Sequence, residues 1–203
     1  NRMTVVELYL NGRLFNVGGG YHLTGDITAT SNQAEEKMLA RFLQYGSICG
    51  EAEFVNHNGE PSIQGDPTDV AIMMATVKKD LQLVGNKQIK KITEFPFDST
   101  RKRMSVVIKD NQQHYAIVKG APDILLNRAD RIEENGRIIR LDQQRRKKIE
   151  LMINQMASKA YRTIALCINP LQHSNRVKVE DVETGLVFIG LFAMIDPLRP
   201  EAK

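Results

Sequence analysis

An Asn-Gly pair between two apolar, β-prone runs commits a chain to double back on itself as an antiparallel hairpin. This sequence does so near its start, where Met3 to Leu10 and Arg13 to Val17 flank Asn11-Gly12. Strand-like runs separated by turn residues recur further on. Ile89 to Phe97, Met104 to Lys109 and His114 to Lys119 read as three strands, the last two joined by Asp110-Asn111-Gln112-Gln113. Asn135-Gly136 marks another turn, and Thr163 to Ile168 and Leu186 to Asp196 complete the set. Helical patterns fall in blocks between these runs. Asn32 with Glu35 resembles a capping box, behind which Met38, Phe42, Tyr45 and Cys49 share one face. A second helix starting near Asp66-Pro67 is expected to bury Val70, Met73 or Met74, Val77 and Leu81. A short helix follows from Asp123, and a polar, basic one from about Asp142 to Ala160. Hairpin-joined strands with helices inserted in blocks predict an α+β fold, a mostly antiparallel twisted β-sheet flanked by helices. With no internal repeat or low-complexity tract, residues 1–203 are expected to form a single domain.

Composition narrows the class. Apolar residues make up 42% and charged residues 26% of the chain, the balance of an ordinary globular domain. The longest apolar run, Leu186 to Ile195, is broken by Gly190 and reaches about half of the roughly 20 residues that span a bilayer. The start carries no basic-then-apolar signal segment. Opening on Asn1 without methionine and ending after a Pro-containing stretch are features expected of a piece of something larger. Cys49 and Cys167 are far apart and set among apolar residues, with neither metal-ligand nor disulfide-framework spacing, as suits a reducing compartment. The net charge of +4 is compatible with nucleotide or nucleic acid.

Few segments offer chemistry. In Lys119-Gly120-Ala121-Pro122-Asp123 a strand-like run ends on a lysine, and residues with little or no side chain follow, leaving room for a flat ligand beside a positive charge. The alternative is an ordinary strand-turn-helix junction with a solvated lysine. In Gly65-Asp66-Pro67-Thr68-Asp69, Asp66 suits a helix cap, Pro67 the first helical position, and Asp69 either the free N–H groups of the first turn or a ligand's amino group. Phe95 to Arg103 ends one strand and enters the next through a basic turn. Pro96 places Phe95 and Phe97 at a sheet edge or pocket rim, where a ring followed by cations suits a base and its phosphates. Two core phenylalanines and a solvated hairpin tip would look the same. Arg145 to Lys148 precedes Ile149, Met152, Ile153 and Met156 at helical spacing and reads as the outer face of an amphipathic helix. Arg162 stands at the start of a strand, within reach of a ligand. Gly18-Gly19-Gly20 lacks the Lys-Ser/Thr of a phosphate loop. His22, His57, His114 and His173 are scattered, so no metal-binding residues are assigned.

Taken in order, Gly65 to Asp69, Phe95 to Val107, Lys119 to Asp123 and Asp196-Pro197-Leu198-Arg199 resemble the cytoplasmic nucleotide-binding domain of P-type cation-transporting ATPases. Asn1 to Val5 looks like the segment that follows that family's phosphorylation loop, so the resemblance covers the whole chain. Phe95 to Val106 is most similar to the calcium-type pumps. The resemblance implies that Phe97 stacks on adenine, Lys119 lines the deep end of its pocket and Asp69 hydrogen-bonds the base. It further implies that Lys102 and Arg162 face ribose and phosphates, and that Gly120 and Ala121 leave room for the ring. Residues 1–8 and 190–203, with Asp196, Pro197 and Arg199, become hinge strands toward a phosphorylation domain. ATP, with Mg²⁺ in the intact enzyme, is the implied ligand. The phosphorylation, actuator and transmembrane domains of the same polypeptide are the implied partners, and the implied place is the cytoplasmic side of a membrane protein. The fragment itself is expected to be monomeric. Two positions depart from the family pattern: Asp69 stands where Glu is usual, and Ser99 stands where muscle calcium pumps carry arginine, with Arg101 as the expected substitute. The Asp-Lys-Thr-Gly-Thr motif that accepts the phosphoryl group is absent from this chain, which is expected to bind ATP without hydrolysing it.

Two other functions fit parts of the sequence. A basic nucleic-acid-binding module would use Arg101-Lys102-Arg103 and Arg145 to Lys148, with binding that falls steeply as salt rises. A kinase-like enzyme would use Lys119 as its phosphate lysine, although metal-binding carboxylates are wanting. Truncating Lys119 separates a pocket lysine, which costs ligand affinity and little stability, from a solvated one, which costs neither.

Overall fold

The computed structural model describes residues 2–57, 60–84, 88–174 and 176–196. The strands are β1 (Thr4–Leu10), β2 (Arg13–Asn16), β3 (Glu53–His57), β4 (Glu60–Gln64), β5 (Ile89–Asp98), β6 (Arg103–Asp110), β7 (Gln113–Gly120), β8 (Ala129–Glu134), β9 (Arg137–Arg140), β10 (Arg162–Leu171) and β11 (Leu186–Ile195). The helices are α1 (Gln33–Ile48), α2 (Pro67–Lys79), α3 (Pro122–Arg128), α4 (Gln143–Ser158) and the single turn α5 (Val179–Val182). Among the described residues nine strands form one sheet in the order β2-β1-β11-β10-β7-β6-β5, with β8 and β9 attached beside β11. Strands β3 and β4 make a separate hairpin. Every pairing is antiparallel except β8 with β11, so the expected α+β, mostly antiparallel architecture holds.

The central strands are buried on both faces, which is why they read as continuous apolar runs rather than alternations. Leu8, Leu10, Val106, Ile108, Ile117 and Leu166 face α1 and α2 in one core. Tyr9, Val118, Ala165 and Cys167 face α3 and α4 in another. The first core is anchored by Phe42 of α1 stacked on Phe192 of β11, ring centroids 4.3 Å apart. The apolar run Leu186 to Ile195 is the strand between these cores. One of its edges pairs β8 at residues 186–188 and β1 at 190–195, while the other pairs β10. Thr4 thereby lies opposite Ile195.

Local sequence explains most element ends. Asn11 and Gly12 take φ of 53° and 70°, the left-handed pair that a two-residue hairpin between twisted strands requires. Asn135 and Gly136 do the same at 51° and 73°. Sequence reading finds that turn but not its flanking strands β8 and β9, which are rich in charge and carry little apolar alternation. The β3–β4 hairpin escapes it because each strand is only five residues long, with too little apolar alternation to register. Asn32 caps α1 by accepting the Glu35 backbone N–H at 2.9 Å. The expected reciprocal bond does not form. The Glu35 carboxylate instead accepts the backbone N–H and hydroxyl of Ser31 and pairs with Arg13 of β2, tying the helix start to the sheet edge. Asp66 caps α2, accepting the Thr68 N–H at 2.9 Å. The helix ends at Lys79 and a 3₁₀ turn follows, so Leu81, expected in the core, is 53% exposed.

Both cysteines are buried and free. Burial pushes the Cys49 thiol up to about 12 and raises that of Cys167 as well. A thiol reagent at about pH 8 should therefore modify neither residue in the folded chain and both after unfolding in guanidinium, because the thiolate is the reacting form. Prompt labelling of native protein, read by mass spectrometry, would contradict the buried placement.

Candidate functional site

Ladder register puts Lys119, near the end of β7, opposite Met104 of β6 and Leu166 of β10. It therefore projects to the face that α1 and α2 cover. There the lysine is 5% exposed, and its ammonium pairs with the carboxylate of Asp69, 8% exposed, at the third position of α2. The second Asp69 oxygen accepts the Glu51 backbone N–H at 2.9 Å. A charge taken out of water needs such partners to persist. Room for the pair depends on Gly50, where a Cβ would sit 2.9 Å from the Asp69 carboxyl carbon and 3.1 Å from the Lys119 nitrogen.

A cavity of about 230 Å³ borders this pair and gathers Asp69, Phe97, Lys119, Gly120 and Arg162. Its walls also include Glu51, Met104 and Ile164, with Asp66 and Thr68 from the start of α2. Sequence reasoning misses these. Ile164 could have been reached from Arg162, since residues two apart share a strand face. Met104 becomes visible only through its register with Lys119. A more open groove of about 650 Å³ among Ile92, Thr93, Ser174, Arg176 and Val177 holds none of the expected site residues.

Phe97 is 61% exposed, a large aromatic surface left at the cavity rim. It owes this to a bulge. The β5–β6 register passes from Phe95 opposite Ser105 to Asp98 opposite Arg103, so two residues stand against one. A bulge re-aims the side chains that follow it. Phe95, which would otherwise share the face of Phe97, packs against Val107, Ala116 and Val182. It is thus a core residue rather than part of the rim.

The remaining expected residues are less central. Lys102 is exposed, adopts a left-handed φ of 55°, and lies outside the cavity lining. Ala121 is also outside it, and its N–H donates to the Lys102 carbonyl at 3.1 Å. At Gly120 the missing side chain admits protein rather than open space, because a Cβ would meet the Lys102 carbonyl oxygen at 2.5 Å. Arg162 is exposed at the mouth, with one guanidinium nitrogen 4.0 Å from the sulfur of Met3. Asp196 is exposed just beyond β11, whereas Pro197 and Arg199 lie outside the described residues.

Many cations of the two basic runs are spoken for. Arg101 and Arg103 bind Glu183, so Arg101 is not directed to the cavity mouth as expected. Arg145 pairs with Glu134 and Asp142, and Arg146 donates to the carbonyls of Leu126 and Ala129. What converges at the cavity is a ring at the rim, a buried charge pair at one wall and an exposed guanidinium at the mouth. That arrangement suits a planar heterocycle carrying an anionic tail.

Comparison with known proteins gives a consistent result. Residues 38–201 match the family model described as the P-type ATPase cytoplasmic domain N. The chain is 34% identical over its whole length to a calcium-transporting ATPase of Bacillus subtilis, of which it covers 24%. It is 36% identical over its whole length to calcium-transporting ATPase 1 of Bacillus cereus, covering 21%. It is 28% identical, again over its whole length, to the cation-transporting ATPase pma1 of Synechocystis, covering 23%. The chain thus spans about a quarter of the length of these curated relatives.

Proposed function

The chain belongs to the P-type ATPase cytoplasmic domain N family, and from that premise we propose that it binds ATP in the Asp69–Lys119 cavity for phosphorylation of an aspartate on an adjacent domain. The observation that carries this reading is the convergence of Asp69, Phe97, Lys119, Gly120 and Arg162, from four separate elements, on one cavity. At about 230 Å³ it is smaller than the roughly 300–1,000 Å³ of sites that engulf drug-sized ligands. It is sized for a base, with the ribose and phosphates left outside.

Each group then has a task. Phe97 offers a ring face for base stacking, which is sequence-tolerant and strong. Asp69 and Lys119 present an acceptor and a donor to the heterocycle edge. Arg162 at the mouth and Lys102 on the neighbouring turn meet ribose and phosphate charge. Leaving the phosphates exposed lets a second domain complete the reaction. Mg²⁺ would arrive on the nucleotide and supply charge neutralisation at the phosphates. Of the cavity carboxylates, Asp66 is used as a helix cap and Asp69 is paired with Lys119. Transfer and hydrolysis would belong to the intact transporter, reached when the domains close around the antiparallel strands β1 and β11 as a hinge. We assign calcium as the cargo from the names of the relatives, and the cytoplasmic face of a membrane as the location from the family description.

A domain that opens and closes in every cycle needs only modest affinity, so a Kd of about 0.1–10 mM, or about −3 to −5 kcal/mol, is expected. Titrating ATP into the labelled chain while following the amide signals of Phe97 and Lys119 by NMR tests this. Both signals should move saturably. Still signals at several millimolar nucleotide would reject the site. Competition with DNA provides the contrast with a basic nucleic-acid module, whose arginines are largely consumed in internal contacts.

A further inference from the structure

Glu183, which ends α5, is a carboxylate with 1% exposure. One of its oxygens accepts the Ser105 hydroxyl at 2.9 Å and pairs with Arg101, and the other accepts the Arg103 Nε at 2.6 Å. Two buried or half-buried guanidiniums on one buried carboxylate form a satisfied network, costly to disturb. Its connections lead onward. Arg101 donates from its second nitrogen to the Pro96 carbonyl at 2.8 Å, and Arg103 donates to the Arg101 carbonyl at 2.8 Å.

The two carbonyls so held lie immediately before Phe97 and immediately before Lys102. Phe97 sits on the bulge, where the ladder no longer dictates side-chain direction. Lys102 sits in a left-handed conformation that a non-glycine residue does not keep unless its surroundings impose it. Within the turn, the Asp98 side chain accepts the Thr100 and Arg101 N–H groups, and the Asp98 carbonyl accepts the Lys102 N–H at 2.7 Å. The turn is thus closed on itself. The Ala121 N–H, just beyond β7, holds the Lys102 carbonyl at 3.1 Å, and the side-chain attachment of the turn, through Arg101 and Arg103, converges on Glu183.

We propose that Glu183 is a positioning residue for the nucleotide site: through Arg101 and Arg103 it fixes the Pro96–Arg103 bulge and turn that present Phe97 and Lys102. This rests on the ATP-binding reading above. It also assigns a job to the basic turn that charge alone does not suggest. Two of its cations are used inward as struts, so that the third, Lys102, is held outward.

The test uses the full 203-residue chain and ATP as probe. Glu183→Gln keeps the volume and one acceptor oxygen but removes the charge that holds both arginines. Arg101→Gln, at a half-buried position, removes the Pro96 strut and one of the two cations on Glu183 but leaves Arg103 in place, and serves if Glu183→Gln fails to fold. Each variant should raise the ATP Kd about five- to twentyfold and move the amide signals of Pro96's neighbours from Phe97 to Arg103 in the nucleotide-free protein, while core amides of β10 and β11 stay in place. In a Phe97→Ala background the same substitutions should raise the Kd by a smaller factor, because the share of their effect that runs through that ring is then gone. A merely structural role predicts equal penalties in both backgrounds, which would overturn the proposal. So would wild-type affinity in both variants. If wild-type protein itself does not bind ATP, the ATP-binding reading falls and this proposal with it.

Discussion

Replacing Lys119 with alanine should destabilise the chain by about 3 kcal/mol, the scale for breaking a buried ion pair from one side. A lysine that merely lines a pocket could be truncated cheaply. Lys119 cannot, because it is buried against Asp69, and the carboxylate left behind would keep only the Glu51 N–H and the water that enters the vacated space. The same substitution should abolish detectable ATP binding at several millimolar. Two measurements separate these effects. Guanidinium unfolding gives the stability loss, and restoring charge balance with Asp69→Asn in the Lys119→Met background should recover most of it. ATP binding should stay lost in that double variant, since neither the carboxylate nor the ammonium is then present. Unchanged stability in Lys119→Ala would mean that the pair contributes nothing to the fold.

Phe97→Ala should have the opposite signature. With 61% of its surface exposed, the ring contributes little to packing, and the loss of stability should stay within about 0.5 kcal/mol, as for other surface changes. Removing a ring from beneath a base forfeits about 1–3 kcal/mol, so the ATP Kd should rise about 10- to 100-fold. Phe97→Trp should retain affinity. A large fall in unfolding free energy would show the ring to be buried, and unchanged affinity would remove it from the site. A large exposed aromatic is not what folding selects by itself, and here it borders the cavity that also collects Asp69, Lys119, Gly120 and Arg162.

The hairpin at Asn11-Gly12, the cap at Asn32 and the Pro67 helix start were legible because each rests on interactions within a few residues. The central strands are legible because a strand buried on both faces reads as a nearly continuous apolar run. Strands β3, β4, β8 and β9 are not, since all four are short and β8 and β9 are charged as well. Leu81 continues the helical periodicity of α2 in sequence, but the helix stops at Asp80 and leaves that side chain exposed. Candidate site residues came from resemblance to a family, and the cavity brings Asp69, Phe97, Lys119, Gly120 and Arg162 together. Lys102 and Ala121 belong to the adjoining turn, and the real office of Gly120 is to admit the backbone of β6.

What the sequence determined by itself, then, was the class of fold, the main turns and caps, and a short set of residues suited to a base and its phosphates. Those are local properties: turn chemistry, helix starts and apolar continuity act over a few neighbours. Tertiary structure alone decided which charges are free. Arg101 and Arg103 look like phosphate ligands in sequence but are held by Glu183, 80 residues away from Arg103 along the chain. Lys119 looks like a solvated or pocket lysine but is locked to Asp69, 50 residues away. Whether a cation meets a ligand or a carboxylate of its own chain depends on which groups are brought within a few ångströms and removed from water. That is set by sheet register and helix packing, and no local pattern reports it.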